Sequence, residues 1–234
     1  MALTTIANFK SYIGETGTTN DTLFTALLAR ATSSVEKYCD RTLDSTTGRD
    51  FYDGTGDYYL YADQYPITDI TLLSVGRQSV LKITNANSDA WNAHVKVDAT
   101  TMTLTINGGT NDGTDPLTLS SYTITTLAAA IVALAKGWSA TVQISDFGVW
   151  SASEIIPCLA LRCLDTDYAY VECPDEPETD FKFEADTGRL YLATGFPTGT
   201  QNVTLKYTYG YATVPGDLEQ IVIDLMNMYW QGRN

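Results

Sequence analysis

Residues 203–229 read VTLKYTYGYATVPGDLEQIVIDLMNMY, and two periodicities meet inside that one stretch. Val203, Leu205 and Tyr207 alternate with Thr204, Lys206 and Thr208, the period of two that gives a strand one buried face and one wet one. Beyond Gly210 and the Val214-Pro215-Gly216 break, Leu218, Ile221, Val222, Leu225 and Tyr229 recur at the spacing of one helical face. Asp217, with Gln220 three residues on, reads as a capping box. A strand that hands over to an amphipathic helix across a Gly/Pro break points to an α+β fold.

The other end of the chain supplies matching helices. Ile6, Phe9 and Ile13 are at helical spacing, with Thr4 or Thr5 as N-cap and Gly14 as stop. After ETGTTN, the run from Asp21 to Tyr38 sets Leu23, Leu27, Ala31, Val35 and Tyr38 near one face, with Asn20 placed to cap. From Phe51 the pattern becomes short aromatic and β-branched runs, predicting strands at 57–62, 67–75 and 189–193 beside the one at 203–209.

Composition agrees. Fifteen Tyr and 17 Gly beside only 18% charged residues favour strands and turns over a helical bundle, and 44% hydrophobic residues supply a core. A formal charge of −14 repels phosphate, so tight nucleic-acid binding is excluded as an expectation; an acidic wall remains compatible with DNA sliding past without sticking. No basic segment followed by an apolar run opens the sequence, and no stretch approaches the roughly 20 apolar residues of a membrane span, so a soluble protein with no membrane role is expected. Cys39, Cys158, Cys163 and Cys173 lack CxxC spacing and read as reduced thiols filling small apolar spaces.

Residues 76–177 read as a separate inserted α/β unit between flanks 1–75 and 178–234. Strands are expected at 81–84, 94–97, 102–106 and 139–144, and an Ala-rich helix at 125–137 ending in Lys136-Gly137. NGGTNDGTDP, residues 107–116, is the strongest turn signal, and ECPDEPETD, residues 172–180, reads as an acidic return linker.

Chemistry is sparse. The only histidine, His94, lies in the alternating run HVKVD and reads as a strand residue rather than a catalytic one. GxSxG, HExxH, Walker and GxGxxG motifs are all missing, so no catalytic residues, metal or cofactor are expected. Asn111, Asp112 and Asp115 could offer oxygens to calcium, but their spacing is not that of an EF-hand loop and a plain turn is the better reading. Asp165 and Asp167 could form a carboxylate pair for a hydrolase, yet LDTDYAYVE alternates as a half-exposed strand does. YDGTGDYYLYADQYP, residues 52–66, holds five Tyr in fifteen positions, which suits a protein interface better than a carbohydrate platform. A carbohydrate-binding or tail-associated β module, using Tyr58, Tyr59 or Trp91, is the alternative reading.

Three pieces carry a resemblance: Tyr38-Cys39-Asp40-Arg41 at a helix end, Tyr65-Pro66-Ile67 at a strand entry, and Tyr207 to Leu218, where Y-x-x-G-Y meets V-P-x-D-L. In this order, within roughly residues 3–75 and 178–234, the chain resembles the head-to-tail connector (adaptor, head-completion) proteins of long-tailed bacteriophages. The resemblance implies two N-terminal helices and a C-terminal helix bundled beside a small antiparallel β domain. It also implies a non-enzymatic virion protein of the neck, made in the host cytoplasm. Such a subunit forms a homo-oligomeric ring, a dodecamer, on the phage portal protein. It extends the channel through which DNA passes without sequence-specific binding, and it offers a surface to a tail-side stopper or tail-completion protein. The family's C-terminal helix and tail reach toward the portal, which makes Tyr229, Trp230, Gln231 and Arg233 portal-interface candidates. Tyr229 shares the Leu225 face, whereas Trp230 and Arg233 are expected off it. Residues 76–177 depart from shorter members of the family, and no role carries over to them.

Overall fold

A computed structural model describes residues 3–232. The chain divides into two compact units, one made by the flanks up to Leu73 and from Pro177 onward, the other by Ser74–Glu176. The fold is α+β.

The flanking unit opens with α1 (Ile6–Ile13) and α2 (Asp21–Cys39), followed by β1 (Thr46–Gly54), β2 (Tyr59–Tyr61) and β3 (Ile67–Val75). Thr5 caps α1 by accepting from the Asn8 amide, and Gly14 ends it at φ 74°, a left-handed conformation open to glycine without a Cβ penalty. The packed face of α2 is Phe24, Leu28, Ala31 and Val35: Ala31 and Val35 are buried as expected, but the first turns bury Phe24 and Leu28 in place of Leu23 and Leu27, with Leu23 38% exposed, and Tyr38 at the end is 92% exposed. Both stripes satisfy i,i+4 spacing, and burying the larger Phe24 ring decides between them. Asn20 makes no capping bond; its side-chain amide donates to Glu15 instead.

The inserted unit comes next, with β4 (Arg77–Asn85), β5 (Asn92–Val97), β6 (Thr101–Asn107), β7 (Gly113–Thr118), α3 (Ile124–Ala133), β8 (Trp138–Val142), β9 (Cys158–Arg162) and β10 (Ala169–Pro174). Two antiparallel sheets, ordered β10-β4-β8 and β7-β6-β5-β9, enclose one core with α3. Leu81, Ile83, Val95, Leu104, Ile124, Leu127 and Ile131 are all fully buried in it. The glycine-rich turn is shorter than expected, because residues 113–116 pair with β6 instead of extending the loop. Pro116 is tolerated there since β7 is an edge strand, where a missing N–H need not break a ladder bond. Likewise Glu172, Cys173 and Pro174 belong to β10, paired with Ser79, Gln78 and Arg77, so the return linker is confined to residues 175–180.

The chain re-enters the flanking unit through β11 (Phe181–Glu184), β12 (Arg189–Leu192) and β13 (Gly199–Tyr209), then closes with α4 (Gly216–Gln231). Its sheets are ordered β1-β13-β3 and β11-β12-β2. Central β13 buries Val203, Leu205 and Tyr207 as its alternation predicts, but Thr204 is also at 0% exposure. Thr204 is buried on the opposite face from Val203 and Leu205, where Lys206 and Thr208 are only partly buried, which a period-two pattern does not reveal. The start of α4 corrects another expectation: Pro215 is the N-cap, and no side chain caps the helix. Asp217 accepts from the Leu218 amide, and Gln220 donates to Asp224.

Candidate interaction surface

The three resemblance-bearing pieces, far apart in sequence, meet at one junction in the flanking unit. Helix α2 ends at Asp40, which takes φ 50° and donates its amide to the Glu36 carbonyl; Asp is one of the few residues that visits this region readily. That reversal sends Arg41 over the Tyr65 ring at 4.1 Å, with its Nη1 donating to the Tyr65 carbonyl at 3.3 Å. The Tyr65-Pro66 peptide bond is cis, and the Pro66 carbonyl accepts from the Gly210 amide at 2.9 Å. Gly210 sits at φ 87°, and a Cβ there would lie 2.3 Å from the Asp44 carbonyl oxygen, so the glycine is a steric requirement. The Tyr211 amide then donates to the Leu43 carbonyl at 2.9 Å, holding the strand-to-helix turn against the end of α2.

From this junction α4 packs against both N-terminal helices, which also touch each other. Val222, Ile223 and Met226 are its buried residues. An aromatic chain runs through the bundle: Phe9 meets Phe24 edge-on at 5.2 Å, and Phe24 meets Trp230 at 4.9 Å. The expectation that Trp230 lies off the packed face is therefore corrected. Its position four residues after Met226 puts it one turn along the buried stripe, whereas Ile221, expected inside, is 48% exposed. Tyr229 is half-buried at the margin, its hydroxyl 3.3 Å from Ser34 Oγ and its ring beneath the Arg30 guanidinium at 4.3 Å. Gln231 is exposed, and Arg233 lies outside the described residues.

The outer side of α4 carries a feature absent from the expectations above. Ile221, Asp224, Met228 and Gln231, spaced three or four apart, are all exposed, Ile221 at 48% and Met228 at 56%. Tyr12 of α1, itself 51% exposed, donates to Asp224 at 3.1 Å and adds its ring to the stripe. The hydrogen bond to that carboxylate raises the Tyr12 pKa. An apolar i,i+7 pair on a helix already packed on its other side was legible in the sequence once the buried stripe was known.

Residues weighed for chemistry do not converge. Among the described residues no group of three or more His, Cys, Asp or Glu is arranged to hold a metal ion. His94 lies on β5 opposite Thr105 and Arg162, with Asn92 Nδ2 3.4 Å from its Nδ1. Asp112 accepts from the Gly108 amide, and Asp115 takes both its oxygens to Lys136 Nζ at 2.7 and 2.9 Å. Asp167 is paired with Arg162 at 2.8 Å, while Asp165 adopts φ 57° in the preceding turn. The four cysteines are free, and burial, with Asp167 adding to it, pushes the Cys163 thiol up to about 12, so it stays protonated at neutral pH. Trp91 is 70% exposed and covers Gly108 in the inserted unit, while Tyr58 and Tyr59 belong to the flanking unit. No helix among the described residues is long and apolar enough to cross a membrane. The chain matches no family model, no curated protein and no solved structure.

Proposed function

We propose that this chain is a non-enzymatic structural protein of a phage virion, a head-to-tail connector subunit that forms a ring on the portal protein. In that role it extends the DNA channel in the neck and presents a surface to a tail-side stopper or tail-completion protein. The observation that carries the reading is the junction itself. Segments around Arg41, Tyr65-Pro66 and Gly210-Tyr211, the most specific parts of the resemblance, are mutually bonded in one place and launch α4 from it.

The portal contact is assigned to the outward stripe of α4, Ile221, Met228 and Gln231, with Tyr12 beside it. Tyr229 and Trp230 act behind it, by fixing the helix in the bundle. An exposed apolar pair flanked by polar groups is suited to a helix-in-groove contact, in which residues on one helical face enter a partner's hydrophobic groove. The acidic surface is compatible with a conduit that does not retain DNA. A ring forms where each subunit has two complementary patches and the rotation closes.

The test is light scattering after size-exclusion chromatography of the chain mixed with the assembled portal. A stable complex is expected with the wild-type chain and not with the Ile221→Glu/Met228→Glu double variant, whose own fold is checked by circular dichroism. Failure of the wild-type chain to bind portal at any salt concentration overturns the proposal. A lone monomer without portal does not, because subunits can assemble only on their partner.

A further inference from the structure

The turn between β6 and β7 holds the only Asn-Gly pair in the sequence, Asn107-Gly108. Asn-Gly is common in turns because both residues tolerate positive φ. That reason does not cover Asn107. Gly108 and Gly109 supply the positive φ, at 85° and 76°, whereas Asn107 ends β6 within the ladder, opposite Asn92. Its carbonyl accepts from the Trp91 amide at 3.0 Å. Among the described residues its half-buried side-chain amide makes no hydrogen bond, so the turn does not account for an asparagine at this position.

The atoms beside that side chain are arranged for a reaction. Gly108 lies outside the ladder, and its amide donates to Asp112 Oδ1 at 3.2 Å. It has no Cβ to crowd its nitrogen, and the Trp91 ring takes that space: a Cβ on Gly108 would lie 2.4 Å from Trp91 Cδ1. We propose that Asn107 is a self-modification site, at which the Gly108 nitrogen attacks the Asn107 side-chain carbonyl carbon while Asp112 takes the proton from that nitrogen. The new N–C bond closes a succinimide ring. The bond from the same carbon to the side-chain nitrogen breaks, and that nitrogen receives the proton from Asp112 and leaves as ammonia. Water then opens the ring at either carbonyl, leaving aspartate or isoaspartate at position 107.

Neighbouring asparagines lack this combination. Asn111 precedes Asp112, whose side chain crowds the following nitrogen. Asn85 is fully buried, its amide donating to the Lys136 carbonyl and its oxygen accepting from the Asn87 amide. The product loosens the turn. Asp89 already borders it, accepting from the Thr110 amide and hydroxyl, both at 2.8 Å, and a new carboxylate at position 107 is repelled by Asp89 and Asp112. Isoaspartate also reroutes the main chain through the side-chain carbon, which displaces the carbonyl that the Trp91 amide bonds. The proposal does not depend on the connector reading.

The experiment is incubation of the full folded chain at mildly alkaline pH, followed by peptide mapping with mass spectrometry and isoaspartate detection. Asn107 is expected to convert ahead of every other asparagine, giving the mass gain of an amide-to-acid change and a mixture of aspartate and isoaspartate. Asp112→Ala is expected to slow the conversion about tenfold; a carboxylate is a weak base at this pH, so its help falls below the usual range for general-base catalysis. If Asp112 merely orders the turn, D112A speeds the conversion, and that result overturns the proposal. The chain unfolded in urea lacks the Asp112 contact and is expected to convert more slowly than the folded chain, a comparison that stands even if D112A fails to fold. Faster conversion in urea, or another asparagine reacting first in the folded chain, overturns the proposal.

Discussion

Tyr207 is the largest fully buried side chain among the described residues, and its hydroxyl donates to Asp50 at 2.7 Å. Tyr52 points at the same carboxylate oxygen from 3.4 Å and accepts from the Asp63 amide at 3.1 Å. Burial pushes the Tyr52 phenol up to about 12, and the Tyr207 phenol is raised further by burial and then by its contacts with Tyr52 and Asp50. The folded chain thus keeps protons that the unfolded chain releases from its ordinary value of 10.0 upward. In that window the unfolded state binds fewer protons, so stability is complete below about 10 and declines as pH rises toward 12. Thermal melts at stepped alkaline pH are expected to show this fall, with a shallower slope in Tyr52→Phe. Tyr207→Phe removes the donor to a carboxylate and is expected to cost about 2 kcal/mol at neutral pH, read by urea denaturation. None of these pairings is visible in the sequence, because Asp50 and Tyr207 lie on strands joined only by the β1–β13 register.

Among the elements, α3 is the helix whose start is most firmly specified. Thr123 accepts from the Thr126 amide while Thr126 Oγ1 accepts from the Thr123 amide, a reciprocal cap before an Ala-rich run. Thr123→Ala is expected to destabilise the inserted unit by about 1 kcal/mol, measured from its denaturation midpoint. In the bundle, Trp230→Ala removes the ring packed on Phe24 and is expected to cost about 3 kcal/mol, with accelerated amide exchange along the last turns of α4. Helix existence was readable because apolar residues recur at 3.6-residue spacing. Helix rotation was not, since in α2 and α4 two adjacent stripes are both apolar enough, and the packing partner selects one. Strands β1, β7, β9 and β11 escaped for a related reason: four to nine residues with polar or exposed positions on both faces carry too little alternation to be recognised without their neighbours.

At the scale of the whole molecule, the ends of the interruption are tied twice. In the flanking unit the Glu178 amide donates to the Leu73 carbonyl at 2.7 Å, so the break is bridged by a backbone bond. In the inserted unit the Ser74 hydroxyl and the Asp175 amide bond across its own two ends, to the Asp175 and Gly76 carbonyls, at 2.8 and 3.2 Å. Domains whose ends lie close together tolerate insertion and excision. Replacing residues 74–176 with a short Gly-containing turn is expected to leave a flanking unit that melts cooperatively and keeps its helical circular dichroism signal. A molten, non-cooperative product overturns the independence of that unit. By itself the sequence determined the α+β class, the helices and the strands with clear aromatic or β-branched alternation, because periodicity, caps and glycine stops act within a few residues of one another. Tertiary structure decided which helical stripe is buried, that Thr204 is buried on the face opposite Val203 and Leu205, that Trp230 faces Phe24, and that Arg41, Tyr65 and Gly210 share a junction. Each of those depends on a partner brought close only by folding, and no local pattern in the chain encodes which partner that is.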